Sequence, residues 1–130
     1  MENELSVQHQ AAVSVISQHE LGDLIKPMIR DIHLFDSWIA GTTHLDDKSV
    51  LETVKADDEL KLRREDNPFD KKAILVLNAE GKKLGYVPEK DNIVFSRLMD
   101  AGKILKAKVF SVKQETGYTR INIGIYLVDL

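Results

Sequence analysis

The sequence predicts a mainly β protein with minor α structure, in which about six short strands and one inserted helix suggest a small barrel or a strongly bent sheet. Three observations lead to this fold class. Apolar and polar residues alternate over two segments near the C-terminus, a hairpin pattern covers residues 73–87, and a helical pattern separates that hairpin from the last two strands.

The N-terminal 30 residues carry a different pattern, with apolar residues at helical spacing. Pro27 interrupts the second half of this pattern, because proline lacks a backbone N–H and clashes with the preceding turn. We therefore expect residues 1–30 to form a helical extension, either a mobile arm or a cover for part of the next domain. Residues 31–130 are expected to form the β-barrel domain.

The first half of this domain reads as two strands and two connecting segments. Residues 31–43 are rich in β-branched and aromatic residues and predict one long or bent strand. Residues 44–58 are acidic and polar and predict a loop with a turn of helix. Residues 60–63 alternate Leu with Lys or Arg, which predicts a half-buried strand. The NPFD sequence at 67–70 predicts a turn, because Asn and Asp bond to nearby backbone and Pro fixes its own φ.

A hairpin and a helix follow. Residues 73–78 predict a buried strand, and residues 83–87 pair back with it after the turn sequence AEGK. Pro88 suits the first position of a helix and Gly102 suits its end, so we expect a helix near 89–101.

The last two strands are predicted at 104–113 and 117–128, joined by a turn around 115–116. Their apolar positions point to one face and their polar positions to the other. The predicted inward residues are Leu105, Ala107, Val109, Thr119, Ile121, Ile123, Ile125 and Leu127.

The composition excludes several classes of protein. The 130 residues contain no cysteine, which excludes disulfide scaffolds, thiolate metal sites and cysteine nucleophiles and fits a reducing cytoplasm. No apolar run approaches the roughly 20 residues of a membrane helix. The first ten residues include two Glu and no basic residue, unlike a signal peptide. We therefore expect a cytoplasmic protein with no membrane partner.

The formal net charge of −3 hides an asymmetry between the two parts of the chain. Residues 1–59 hold 4 basic and 12 acidic residues, a net charge of −8. Residues 60–130 hold 14 basic and 9 acidic residues, a net charge of +5. An anionic partner is therefore expected to meet the C-terminal part. The alternative explanation is that two faces of one domain differ in charge without binding an anionic partner.

No catalytic or metal-binding pattern is present in the sequence. All four histidines lie within the first 44 residues, and no two have the i, i+4 spacing of a metal pair on a helix. The sequence has no nucleophile elbow, P-loop or dinucleotide-binding glycine motif. The carboxylate clusters at 46–47 and 57–59 have the composition of solvated loops. We therefore expect no enzymatic activity, no bound metal and no cofactor.

Basic and aromatic residues are interleaved in the middle of the chain. Seven basic residues lie in this part of the chain: Lys61, Arg63, Arg64, Lys71, Lys72, Lys82 and Lys83. Aromatic rings lie between and after them, at Phe69, Tyr86 and Tyr118. Basic groups for phosphates and aromatic faces for unstacked bases are typical of single-strand recognition. The alternative interpretation is structural, with Phe69 filling the core, Tyr86 burying its ring and the lysines merely solvated.

Three blocks of sequence resemble the HIRAN domain in content, order and spacing. They are W-I-A-G-T at 38–42, L-R-R-E-D-N-P-F-D-K-K-A-I at 62–74 and G-K-K-L-G-Y-V-P at 81–88. The resemblance covers about residues 31–130 and implies a modified OB-like β-barrel with inserted helical structure. In eukaryotes such domains are attached to SWI/SNF-type ATPases of replication-fork repair and capture the 3′-hydroxyl end of single-stranded DNA. Bacteria also carry stand-alone versions, and this chain is too short for an attached ATPase.

The resemblance implies roles for individual residues. Phe69 would stack on the terminal base, and Asp70 would accept a hydrogen bond from the 3′-hydroxyl. Asn67 would contact a base edge or hold the loop, Tyr86 would support the DNA, and Tyr118 corresponds more loosely. Phosphate contacts would come from three basic residues: Lys61, Arg63 and Arg64.

The sequence departs from the family pattern after the A-G-T strand. End-binding members show a basic residue and aromatics there, whereas this chain has Thr43, His44 and Leu45. The second half of the base sandwich is thereby weakened, although the ring of His44 can stack. Lys72 also replaces the usual Asn of the D-x-N-A-I block, and the proline expected after R-E is missing, which shortens the loop before Asn67.

Two functional hypotheses remain open. The first is a non-catalytic module that binds single-stranded DNA, preferentially at 3′-hydroxyl ends, in DNA repair or replication-fork processing, with a DNA-repair protein as a further partner. The second is a protein-interaction adaptor that keeps the fold but has lost strong DNA binding. The N-P-F-D turn, Tyr86 and the basic C-terminal part favour the first hypothesis. The missing aromatics after Gly41 and the acidic N-terminal half favour the second.

Overall fold

The computed structural model describes residues 30–129, which contain a six-stranded sheet and one α-helix. The elements are β1 (Arg30–Trp38), β2 (Glu59–Arg64), β3 (Ile74–Leu77), β4 (Lys83–Tyr86), α1 (Asn92–Asp100), β5 (Leu105–Glu115) and β6 (Tyr118–Asp129). The order in the sheet is β1-β6-β5-β2-β3-β4. The mainly β class and the inserted helix are confirmed. The predicted N-terminal helical extension lies outside the described residues.

Strands β5 and β6 form a long antiparallel hairpin, which runs from the pair Leu105–Leu127 to the pair Glu115–Tyr118. Gly117 in the connecting turn has a φ of 84°, a left-handed conformation that favours glycine. The alternation of the sequence predicted both strands, because alternate residues of each strand face the core. Five inward residues of this hairpin are almost completely buried: Ala107, Val109, Ile121, Ile123 and Ile125.

The hydrophobic core is formed by β-strand residues together with residues of two helical segments. Phe95 of α1 belongs to this buried cluster, as do Val50 and Leu51 of the short 3₁₀ helix Lys48–Thr53. That 3₁₀ helix is the helical turn expected within the acidic segment 44–58. α1 follows a 3₁₀ turn over Glu89–Asp91, in the region where the sequence predicted a helix. None of the helices in residues 30–129 has the length and apolar character needed to span a membrane.

The sheet is not closed into a barrel, which corrects the sequence-based expectation. Within residues 30–129 no residue pair joins the edge strands β1 and β4 themselves. The one bridge between the two edges joins Tyr86 of β4 to Ala40, two residues beyond β1, and these two residues exchange backbone hydrogen bonds of 2.8 and 2.9 Å. The predicted strand over 31–43 ends early, because Gly41 has a φ of 77° and the chain enters the 3₁₀ helix Thr42–His44. The backbone therefore leaves the sheet before a second pair with β4 can form.

Gly85 allows the end of β1 to approach β4 closely. Its φ is 154°, and a Cβ atom at this position would lie 2.3 Å from the carbonyl oxygen of Ala40 and 2.6 Å from Cγ2 of Ile39. Only glycine fits such an approach without displacing backbone. The close approach that Gly85 permits places Tyr86 beside the segment that follows β1, where the candidate site lies.

Candidate nucleic-acid interface

The NPFD loop, residues 67–70 between β2 and β3, presents an aromatic ring to solvent. Oδ1 of Asn67 accepts a hydrogen bond of 2.8 Å from the backbone N–H of Phe69, as expected of an Asx turn. The side chain of Phe69 is 95% exposed. Aromatic side chains normally bury their large apolar area. Phe69 therefore does not fill the core, and its ring is accessible to a ligand.

The carboxylate of Asp70 is half-buried and fixed at both oxygen atoms. Oδ1 accepts a hydrogen bond of 2.9 Å from the backbone N–H of Lys72, and Oδ2 accepts one of 2.8 Å from the side-chain amide of Asn92. A carboxylate has about four lone-pair sites, so each oxygen can accept one further hydrogen bond. Asp70 thus stabilises its own turn. It can still accept a hydrogen bond from a ligand that contacts the neighbouring residue Phe69.

Arg64 holds the NPFD loop to the rest of the structure. Its guanidinium donates hydrogen bonds of 2.5 Å to the carbonyl of Ala73 and 2.7 Å to that of Lys71, which lie directly after the loop. It also pairs with Asp100 at the end of α1, with Nε 2.9 Å from the carboxylate. The N–H donors of the planar guanidinium are thereby bonded to acceptors of the protein itself. Arg64 therefore has few donors left for the phosphate contact that the sequence predicted.

Lys61 and Arg63 lie on the other face of β2, and both are exposed. Arg63 stands opposite Leu75 of β3, which in turn stands opposite Tyr86 of β4. Because residues directly opposite each other across antiparallel strands share a face, Arg63 and Tyr86 lie on one face of the sheet. These two cations remain available for the phosphate contacts that the resemblance implies.

Tyr86 is associated with a lysine of its own strand. Nζ of Lys83 donates a hydrogen bond of 3.1 Å to the hydroxyl of Tyr86 and lies 4.5 Å from the centre of its ring. His44 is exposed and lines a shallow cleft together with Lys82 and Lys83. The structure thus brings His44 near the lysine that contacts Tyr86. Within residues 30–129 no aromatic contact joins His44 to Phe69, the ring with which it would form a base sandwich.

A second cleft lies at the other side of the β1 end, and we call it the indole cleft. It is lined by residues 38–43 and 118–120 and has a volume of about 330 Å³. Tyr118 lines it with a ring that is 44% exposed. Half-buried Trp38 forms one wall, and two cations lie over its ring: Nζ of Lys90 at 4.5 Å and Cζ of Arg120 at 5.0 Å from the ring centre.

Two consecutive residues before and at the start of α1 connect the indole cleft with the NPFD loop. Asp91 accepts a hydrogen bond of 2.9 Å from the hydroxyl of Ser37, the neighbour of Trp38. Asn92 donates to Asp70, as described above. Ser37 beside Trp38 and Asp70 beside Phe69 are therefore joined through two consecutive residues. Sequence reasoning missed Trp38, Lys90 and Arg120, because they are far apart in the chain and only tertiary structure brings them together.

A sequence model of the HIRAN domain matches residues 32–128 of the chain. Comparison with curated proteins gives no significant match.

Three solved structures resemble the fold. A protein from Lactobacillus plantarum is 25% identical, with a TM-score of 0.73, and the similarity covers 78% of this chain and 99% of that one. The crystal structure of the HIRAN domain of human HLTF is 17% identical, with a TM-score of 0.61, covering 77% and 78% of the two chains. The NMR structure of the HLTF HIRAN domain is 18% identical, with a TM-score of 0.51, covering 76% and 80%. The similarity to the two HLTF structures supports the fold alone.

Proposed function

The chain belongs to the HIRAN domain family, and on that basis we propose that it is a non-catalytic module that binds single-stranded DNA at its 3′-hydroxyl end. One observation supports this proposal most strongly. The ring of Phe69 is almost fully exposed next to Asp70, a carboxylate that both the loop backbone and Asn92 hold in place.

The two residues offer the two contacts that a strand end requires. An exposed aromatic ring can stack on any base, because every base has a π face. An ionised carboxylate accepts hydrogen bonds and donates none, so Asp70 suits a hydroxyl donor and repels a terminal phosphate. The exposed cations Lys61 and Arg63 would contact phosphates of the same strand.

The proposal extends to the setting in which the module acts. The family resemblance favours DNA repair or replication-fork processing, with a DNA-repair protein as a further partner. The absence of cysteine from the sequence fits the reducing cytoplasm.

The test compares fluorescence-labelled oligonucleotides that differ only at the 3′ end. We expect tighter binding to a short single strand with a 3′-hydroxyl than to the same strand with a 3′-phosphate, and weaker binding to a blunt duplex. Binding should weaken as the salt concentration rises. Each phosphate contact contributes about 0.7 to the steepness of log affinity against log salt concentration, so a small set of contacts predicts a slope of about −1 to −3. Equal affinity for both single strands would contradict recognition of the end.

Asp70→Asn is the matched variant, because asparagine keeps the size of the side chain and its ability to form the Asx turn. The variant removes the charge that repels a terminal phosphate, so we expect the preference for 3′-hydroxyl to fall. Asparagine has only one acceptor oxygen, so it can keep the bond from the backbone of Lys72 but loses the one from Asn92, and we expect the melting temperature to fall as well. A folded Asp70→Asn protein with unchanged end preference would reject the role assigned to Asp70.

One observation favours the alternative function, a protein-interaction adaptor. Exposed apolar residues of β1 and α1 line a groove of about 440 Å³, including Leu34, Phe35 and Val94. Exposed apolar patches often mark protein interaction sites. The same oligonucleotide assay separates the two functions, because an adaptor would bind all the strands weakly or not at all, with no preference for the 3′ end.

A further inference from the structure

We propose that the indole cleft is a second subsite, in which Arg120 binds an internal phosphodiester of the strand whose 3′ end lies at Phe69 and Asp70. This inference rests on the proposed function and adds a contact that the sequence did not predict. It also makes Trp38 a positioning residue, because its ring holds the guanidinium in place.

The guanidinium of Arg120 is oriented but not neutralised. Its Cζ lies 5.0 Å from the centre of the Trp38 ring, and its Nε donates a hydrogen bond of 3.1 Å to Oδ1 of Asn122. Asn122 is itself fixed, because its amide donates a hydrogen bond of 3.0 Å to the hydroxyl of Ser111. No hydrogen bond within residues 30–129 uses the two Nη groups of Arg120, and this fork matches the oxygens of a phosphate.

A second cation increases the positive potential at the same ring. Nζ of Lys90 lies 4.5 Å from the centre of the Trp38 ring. Among residues 30–129 no carboxylate forms a salt bridge with Lys90 or Arg120. Lys90 lines the neighbouring apolar groove rather than the indole cleft, so it raises the positive potential at the Trp38 ring while Arg120 is the cation that lines the cleft. The arrangement therefore favours a phosphate over a neutral ligand.

The cleft offers further contacts suited to a nucleotide. Its volume of about 330 Å³ falls at the lower end of the range for small-ligand sites, roughly 300–1,000 Å³. Thr43 and Tyr118 line it and are both exposed, so their hydroxyl groups can donate to phosphate oxygens. The half-exposed ring of Tyr118 can also stack on a base.

Charge limits the path of the strand. The neighbouring cleft beyond Tyr118 contains Glu52 and Glu115 together with one lysine, Lys48. Carboxylates disfavour a phosphate backbone, so we expect the strand to leave Arg120 in another direction. Ser37, the neighbour of Trp38, bonds to Asp91, and Asp70 bonds to the next residue, Asn92, so we expect the proposed phosphate to belong to the 3′-terminal part of the strand.

The test uses Arg120→Ala in the full chain, with Arg97→Ala as the matched control. Arg97 is an exposed arginine of α1 that lines neither the indole cleft nor the NPFD loop. We expect Arg120→Ala to weaken binding of a short single strand about tenfold, the order expected for one charge-assisted contact that stays partly exposed. The loss of affinity should be equal for 3′-hydroxyl and 3′-phosphate strands. The slope of log affinity against log salt concentration should become shallower by about 0.7.

Two further measurements guard against a merely structural effect. Arg120→Lys keeps the charge but loses the fork, so we expect an intermediate affinity at an unchanged melting temperature. Trp38 is the only tryptophan of the chain, so its fluorescence in the unmodified protein should change when the strand binds. The control Arg97→Ala should change affinity less than twofold.

The outcomes separate this inference from the proposed function. If the unmodified protein prefers 3′-hydroxyl ends but Arg120→Ala binds equally well, or Trp38 fluorescence does not respond, the inference is wrong and the proposed function stands. If Arg120→Ala selectively weakens 3′-hydroxyl strands, Arg120 acts at the strand end and the inference is also wrong. If the unmodified protein binds no single strand, both fail.

Discussion

The side-chain amide of Asn92 donates a hydrogen bond of 2.8 Å to the carboxylate of Asp70. Asn92 is 1% exposed, and its Oδ1 has no hydrogen-bond partner among the described residues. The contact with Asp70 is thus the one hydrogen bond of this buried side chain in residues 30–129. A buried group at the start of α1 thereby fixes the orientation of a carboxylate in the NPFD loop.

We predict that Asn92→Ala lowers both the stability and the end preference of the protein. The loss of the donor should cost about 1–2 kcal/mol of unfolding free energy and free the carboxylate of Asp70 to rotate. Melting temperature and the ratio of affinities for 3′-hydroxyl and 3′-phosphate strands are the measurements. Ser96→Ala is the control, because Ser96 is also buried in α1 but donates to the carbonyl of Ile93. An unchanged affinity ratio in Asn92→Ala would show that Asp70 needs no positioning.

Phe69→Ala should reduce binding without reducing stability. Because the ring is 95% exposed, its removal should change the free energy of unfolding by less than about 0.5 kcal/mol. Loss of one stacking face should weaken single-strand binding by about 1–3 kcal/mol. Phe110→Ala tests specificity, since Phe110 is also exposed but lies on β5. If Phe69→Ala melts much earlier than the unmodified protein, the ring packs in solution and the stacking role is in doubt.

The two neighbouring arginines of β2 should respond oppositely to substitution. Arg64→Ala removes hydrogen bonds to the carbonyls of Ala73 and Lys71 and the pair with Asp100, so we expect a loss of about 1–3 kcal/mol in stability. Arg64→Lys should not restore it, because one ammonium cannot reproduce the fork. Arg63→Ala should keep its stability and lose DNA affinity. Thermal melts beside anisotropy titrations distinguish these results, and equal stability losses in both variants would contradict the separation of roles.

A salt bridge on the outer face makes stability depend on pH. Asp31 lies 2.7 Å from Nζ of Lys106, and this hydrogen bond lowers the pKa of Asp31 below its ordinary value of 3.8. A lowered carboxyl pKa stabilises the folded state above the ordinary pKa, and that contribution is lost as the pH falls through the folded value. The unmodified protein should therefore melt roughly 2–6 °C above Asp31→Asn near pH 7. The difference should shrink as the pH falls below that ordinary value, and a constant difference down to acid pH would contradict the assignment.

Local patterns in the sequence predicted much of the fold. Apolar and polar residues alternate along β5 and β6, and Pro88 and Gly102 delimit the helical region. Residues close together in the chain therefore suffice to predict these strands and this helix. The open sheet could not be predicted in this way. It depends on where Gly41 ends the first strand and on the pairing of Ala40 with Tyr86, which are far apart in the sequence.

The candidate site was predicted where its residues are adjacent in the chain, as in the loop from Asn67 to Asp70. Their binding roles remain predictions. Arg64 was grouped with Arg63 by charge, although the alternation of β2 already places the two side chains on opposite faces. The contacts of Trp38 with two cations had no local signal, because they arise only when β1, β6 and the start of α1 come together.

The bridge between Ala40 and Tyr86 has a consequence for amide hydrogen exchange. The N–H groups of Ala40 and Tyr86 are protected by one residue pair, whereas those inside the β5–β6 hairpin lie within a ladder of ten residue pairs that has one irregularity, at Phe110. Exchange at the bridge needs only a local opening, while exchange at Ile123 needs disruption of the hairpin. The two bridge amides should therefore exchange with deuterium sooner than that of Ile123. Since Ala40 lines the indole cleft and Tyr86 is its partner, a strand bound there should slow their exchange, and the two N–H groups would report occupancy without any label or substitution.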